Sequence, residues 1–145
     1  MESDRTKRRS VRIGQTKVGK GVFARRAYPK SAVVGEIAGD VIDDPDYTSD
    51  YCIELNDRLS LEPYAPFRFL NHCCDPNCEF DFDEVELGPD GEYVIPTVYL
   101  FAMHDIEAGE ELTIDYNWPA SNAIPCECGS LACRGWVVAE DEKFA

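Results

Sequence analysis

No window of the sequence reaches the roughly 20 consecutive apolar residues that a membrane helix needs. The charged first residues also lack the apolar core of a secretory signal. Long amphipathic helical patterns, internal repeats and low-complexity tracts are missing too, which excludes a helical bundle and a repeat array. The seven cysteines are an odd number, so they cannot form a complete disulfide framework. The expectation is an intracellular chain with reduced or metal-bound thiols, compatible with a nucleus or a bacterial cytoplasm.

Basic residues are scarce in most of the chain. Residues 1–30 hold ten of the fourteen Lys and Arg and two of the 28 acids, a net of +8. That leaves four basic residues against 26 acids after residue 30, a net of −22. A body this acidic repels nucleic acid and attracts basic peptides, unless the charge is only a solvated surface. Neither direct nucleic-acid binding nor membrane association is expected, and nothing sets an oligomeric state.

What is present suits one mostly β domain. The 145 residues are 44% hydrophobic, enough for a core. Residues 1–10 read as a disordered basic arm. Residues 11–13 and 22–24 read as short strands around a glycine-punctuated loop over 14–21. A β-prone run over 32–38 ends in a turn at Gly39-Asp40. Residues 43–50 form an acidic, turn-rich stretch. Residues 51–55 and 59–61 read as a hairpin around Asn56-Asp57-Arg58. Alternation over 79–87 predicts a half-exposed strand. After a turn at Gly88-Pro89-Asp90-Gly91, the apolar run 93–102 predicts one buried strand despite Pro96.

The chain is organised around Phe67-Arg68-Phe69-Leu70-Asn71-His72-Cys73-Cys74-Asp75-Pro76-Asn77-Cys78. The apolar run ends against Asn, His and Cys side chains, which are costly in a core unless each has a partner. Alone, this reads as a strand end with buried thiols. A second cluster, Cys126-x-Cys128-x4-Cys133, supplies three thiolates within eight residues. A structural zinc wants four tetrahedral ligands, so the fourth must come from elsewhere. Cys73, Cys74 and Cys78 are the candidates in the central stretch. His72 could instead ligate zinc or pair with a cysteine nucleophile, although His72 and Cys73 point to opposite faces if they lie in a strand.

These stretches carry a resemblance. Arg68 to Asn77, Glu110-Glu111-Leu112-Thr113-Ile114-Asp115-Tyr116, the Cys126–Trp136 segment and Gly19-Lys20-Gly21-Val22-Phe23-Ala24 occur in an order that resembles SET-domain protein-lysine methyltransferases with a post-SET zinc segment. Cys73 stands where that family usually has Ser. The resemblance implies a mostly β fold of small sheets with a knot-like crossing between the central stretch and the Tyr116 segment. It places the SET domain at 11–118 and the zinc segment with its tail at 119–145. It implies a protein-lysine methyltransferase that uses S-adenosylmethionine on a basic protein such as a histone, or on a non-histone target. A non-catalytic module binding basic peptides is the rival.

By the same resemblance Tyr116 and Tyr51 are catalytic, Tyr51 lining a lysine channel. Lys20, Gly21, Val22, Arg68, Asn71, His72 and Trp136 hold the cofactor. Cys74 joins Cys126, Cys128 and Cys133 around zinc. Ile114 replaces a Tyr or Phe and governs how many methyls fit; more than one is expected. Arg5-Thr6-Lys7 resembles the start of a histone H3 tail, which makes Lys7 a candidate for self-methylation.

Overall fold

A computed structural model describes residues 10–116 and 123–139. The basic arm with Lys7 lies outside them. Among the described residues the strands are short, six residues at most, because glycines, prolines and acidic turns interrupt every apolar run. No helix among the described residues is long and apolar enough to cross a membrane.

Strands β1 (Val11–Thr16) and β2 (Gly19–Ala24) form a tight hairpin across Lys17 and Val18. Gly19 closes the turn at φ +111°, a backbone conformation that favours glycine. The Thr16 hydroxyl donates to its carbonyl at 2.8 Å. The loop expected over 14–21 is thus mostly paired strand. Its glycines weakened the strand pattern, but β2 has a neighbour on each side. β12 (Glu111–Ile114) is the second neighbour, with Leu112 opposite Val22. Both residues are fully buried.

On its other edge β12 runs parallel to β7 (Asn71–His72), with Thr113 opposite Asn71 and Ile114 opposite His72. This pairing sets the central stretch beside the Tyr116 segment. Asn77 extends it with a side chain that acts as a strand partner. Its Nδ2 donates to Glu111 O at 2.8 Å, and its Oδ1 accepts from the Thr113 N–H at 2.9 Å. Asn77 is buried, and this clasp answers the cost of burying its amide.

A second sheet has the order β3 (Val33–Ile37), β11 (Val98–Ala102), β8 (Cys78–Asp81). Val98, Leu100 and Ala102 alternate into the core. A third has the order β4 (Gly39–Asp43), β6 (Leu59–Pro63), β5 (Ile53–Glu54). The expected hairpin around Asn56 is present, its Oδ1 accepting from the backbone N–H groups of Arg58 and Leu59.

Four further expectations are corrected. The turn at Gly39-Asp40 opens β4 instead. The strand over 79–87 stops at Asp81 and resumes as β9 (Glu86–Leu87). The run over 93–102 splits into β10 (Tyr93–Val94), exposed, and β11, since Pro96 has no N–H for a ladder. Phe67–Phe69 forms a single 3-10 turn rather than a strand end.

Candidate active site

The β7–β12 pairing puts Cys74 within reach of the C-terminal cysteines. The Sγ atoms of Cys74, Cys126, Cys128 and Cys133 all lie within 4.8 Å of one another. A tetrahedral zinc with Zn–S bonds of about 2.3 Å sets its sulfurs about 3.8 Å apart. Cys74 Sγ and Cys126 Sγ are 3.8 Å apart. Burial pushes the Cys128 thiol up, but N–H donors from Cys74 and Ser130 and the neighbouring thiols outweigh it and bring the group down to about 6. The backbone N–H groups of Arg134 and Gly135 donate to Cys74 Sγ and Cys133 Sγ at 3.3 and 3.4 Å. Such donors are what metal-bound thiolates need around them. Among the described residues Cys73 and Cys78 stay outside the set. Burial above all, with Glu110 nearby, pushes Cys78 up to about 12, which keeps it a neutral core thiol.

His72 supports this cluster rather than joining it. Its Nδ1 accepts the Tyr116 backbone N–H at 3.0 Å, so the ring proton sits on Nε2, 3.4 Å from Cys74 Sγ. Arg134 stands behind it, donating to Asp115 Oδ2 at 2.8 Å and to Val138 O at 2.6 Å. These bonds tie the C-terminal segment to the end of β12.

Three hollows reach Tyr116; one of about 330 Å³, against the β1–β2 turn, is lined by Lys20, Phe69, Leu70 and Asn71 as well as Tyr51. A cleft of about 370 Å³ runs between the β1–β2 turn, Asn71, His72 and residues 124–128. A narrow cavity of about 60 Å³ is walled by apolar groups that include Ile37, Phe67, Leu70 and Ile114. Asp50, Tyr51 and Tyr116 line both cleft and narrow cavity. Tyr116 donates its hydroxyl to Leu70 O at 2.6 Å. Burial, with the nearby Tyr51, Asp50 and Glu111, pushes this phenol up to about 12. It stays protonated at any working pH and is no base.

The structure distributes the expected site residues among these hollows, with Lys20 in the one against the hairpin turn. Asn71 and His72 line the cleft. Tyr51 and Tyr116 sit at the junction, and Ile114 lines the narrow cavity. Arg68, expected at the cofactor, lines the narrow cavity and not the cleft. It stacks over the Tyr51 ring at 4.2 Å and donates to Glu62 Oε2 at 2.6 Å. Lys20 offers its carbonyl to Asn71 Nδ2 at 3.0 Å. Val22 is in the core, paired on both sides. Trp136 forms a bridge with Pro125, and its neighbour Val137 lines the cleft.

Comparison with known protein families matches residues 19–117 to the SET domain. The chain belongs to the SET-domain family. It is 30% identical over 142 residues to the histone-lysine N-methyltransferase ash1 of Drosophila melanogaster, covering 86% of this chain and 6% of that protein. It is 31% identical over 153 residues to an H3 lysine-4 specific histone-lysine N-methyltransferase of Mycosarcoma maydis, covering 92% of this chain and 10% of that one. The chain therefore spans a tenth or less of the length of these relatives. Among solved structures, KRYPTONITE in complex with mCHH DNA, an H3(1-15) peptide and SAH superposes with a TM-score of 0.72 at 24% identity, over 88% of this chain and 29% of that chain.

In this SET domain several cleft residues escaped sequence reasoning. Thr16, Lys17 and Val18 line it from the hairpin turn, and Asp50 and Glu111 add carboxylates. The Glu110-Glu111 pair was visible as a motif, but nothing in the sequence says which acid faces inward.

Proposed function

We propose that this chain is a protein-lysine N-methyltransferase that uses S-adenosylmethionine on a lysine in a basic protein segment such as a histone tail. The observation that carries this reading is the junction of a wide cleft and a narrow apolar cavity at Tyr51 and Tyr116. Cofactor and substrate lysine then enter from different sides and meet end to end.

The cleft fits the cofactor's mixed chemistry: Asn71, Lys17 and Glu111 offer polar groups, and Val18, Ile124 and Val137 offer apolar surface. Bound there, S-adenosylmethionine supplies a methyl group on a sulfonium, whose positive charge passes to the lysine nitrogen. Tyr116, held by Leu70 O, keeps its phenol oxygen at the junction as a fixed dipole facing that charge. The lysine must arrive neutral, against a reference pKa of about 10.4. Ile37, Phe67, Leu70 and Ile114 remove water from it and lower that value. Asp50 at the junction and the acidic 43–50 stretch attract the basic segment around it. Lys20, Gly21 and Trp136 belong to the cofactor site through the segments they hold in place.

Methylation of histones by the ash1 and Mycosarcoma relatives supports a basic or histone substrate, which agrees with the acidic body. It also supports an intracellular, histone-bearing setting. The test is transfer of labelled methyl from S-adenosylmethionine to a panel of core histones and other basic proteins. Label on a lysine is the expected result. No label on any of them, from zinc-loaded protein that binds the cofactor product, contradicts the reading.

A further inference from the structure

Glu111 lines the cleft, and its carboxylate also serves a neighbouring side chain. It accepts from Asn71 Nδ2 at 2.9 Å, while the same nitrogen donates to Lys20 O at 3.0 Å. An amide nitrogen has two protons. Both are therefore committed, and the flipped amide would set Oδ1 against two acceptors. The amide is locked with Oδ1 as its one remaining polar atom, an acceptor only.

Gly21 explains how the lock is packed. A Cβ at this position would lie 2.7 Å from Glu111 Oε2 and from Thr16 Cγ2, and 3.1 Å from Asn71 Nδ2. The glycine thus makes room for the Glu111–Asn71 pair. Its φ is not in the left-handed region, so conformation is not the reason for it.

We infer that Glu111 is a positioning residue: it orients the Asn71 amide so that the cleft presents an acceptor to the α-ammonium of the cofactor. This rests on the proposed function, and it names what discriminates within that site. Without Glu111 the amide would keep only its bond to Lys20 O, and its flipped form, whose N–H groups repel an ammonium, would be populated more often. A locked one selects ligands that carry an amino-acid end.

The test compares two ligands by calorimetry on zinc-loaded protein. S-adenosylhomocysteine carries the ammonium; 5′-methylthioadenosine has the same nucleoside and thioether without it. Glu111→Leu removes the acceptor, and Glu111→Gln keeps one. Glu111→Leu is expected to weaken S-adenosylhomocysteine by about tenfold, the scale of a hydrogen bond to a charged group, and to leave 5′-methylthioadenosine within about twofold. Glu111→Gln is expected to stay near wild type. Gly21→Ala, whose methyl crowds Glu111 Oε2 and Asn71 Nδ2 while leaving both residues in the sequence, is expected to repeat the selective loss and covers the case of a Glu111→Leu protein that does not fold. Equal loss of both ligands, unchanged affinity, or a Glu111→Gln loss as deep as that of Glu111→Leu overturns the inference. The last outcome would mean that the carboxylate acts by charge. Wild-type protein that binds neither ligand would instead remove the proposed function itself.

Discussion

Tyr116 donates its backbone N–H to Nδ1 of His72 across 3.0 Å. That bond leaves the imidazole proton on Nε2, facing Cys74 Sγ at 3.4 Å. Burial lowers the ring's affinity for a further proton, Asp115 opposes this, and Arg134 adds to it. A neutral ring therefore joins the Cys74 thiol of the four-cysteine cluster on one side to Tyr116, where cleft and cavity meet, on the other. The cysteine cluster and that junction are built as one unit.

The first prediction separates the adjacent thiols. Cys74→Ser is expected to lower zinc affinity at least about a hundredfold, beyond the range of outer-shell changes. Cys73→Ser is expected to keep the metal, because Cys73 lies outside the four-sulfur set. Zinc content after dialysis against a competing chelator decides the matter. Equal zinc loss in the two proteins contradicts the assignment.

The second concerns pH. Tyr116 ionises near 10.0 in an unfolded chain and is pushed up to about 12 in the fold, mainly by burial. The unfolded state releases its proton first, so this contribution to stability is complete below pH 10.0 and is lost as pH rises toward 12. Denaturant midpoints for wild type are expected to fall faster than those of Tyr116→Phe across that window. The transfer rate, by contrast, is expected to rise from neutral to alkaline pH, following deprotonation of the substrate lysine. A flat rate profile with chemistry limiting contradicts the assigned role of lysine desolvation.

Much of this was legible in the sequence, and the reasons are local. Cys126-x-Cys128-x4-Cys133 is a ligand spacing that needs no fold to be read. The Asn71-His72 and Glu111–Tyr116 stretches were visible as neighbours of metal and apolar groups. What could not be read depends on contacts between distant segments. The glycines of β2 disguise a central strand whose partners, β1 and β12, lie on opposite sides. Nothing in the sequence says that Glu62 holds Arg68 at the narrow cavity. Neither the Glu111–Asn71 lock nor the His72 tautomer has a sequence signal, since each is set by pairing across some 40 residues.

The third prediction follows from Glu62. Its carboxylate accepts from Tyr47 and Ser49 at 2.8 and 2.6 Å and from Arg68 at 2.6 Å. Ser49 in turn takes the N–H groups of Tyr51 and Cys52. Glu62 thereby fixes the loop that brings Asp50 and Tyr51 to the junction. Glu62→Ala is expected to cost about 1–3 kcal/mol of stability, from donors left without their acceptor. It is also expected to raise KM for a basic peptide more than it lowers kcat. Steady-state kinetics beside thermal unfolding would show this; unchanged KM contradicts it.

The fourth concerns Ile114, which lines the narrow cavity with no hydroxyl to restrain an amine. Wild type is expected to add more than one methyl to a lysine, and Ile114→Tyr to favour monomethyl product by about tenfold. Mass spectrometry of a peptide substrate under multiple turnover gives the distribution. A wild-type reaction that stops at monomethyl-lysine contradicts the reading.

The most direct measurement is the rate of methyl transfer to a lysine by wild type and by Tyr116→Phe, both zinc-loaded and folded, on the same basic substrate. The account predicts methyl-lysine from wild type and a rate lower by about a hundredfold in the variant, the scale of one lost dipole at a reacting centre. Equal rates would contradict it, because the junction of cleft and cavity would then not be where the methyl group moves.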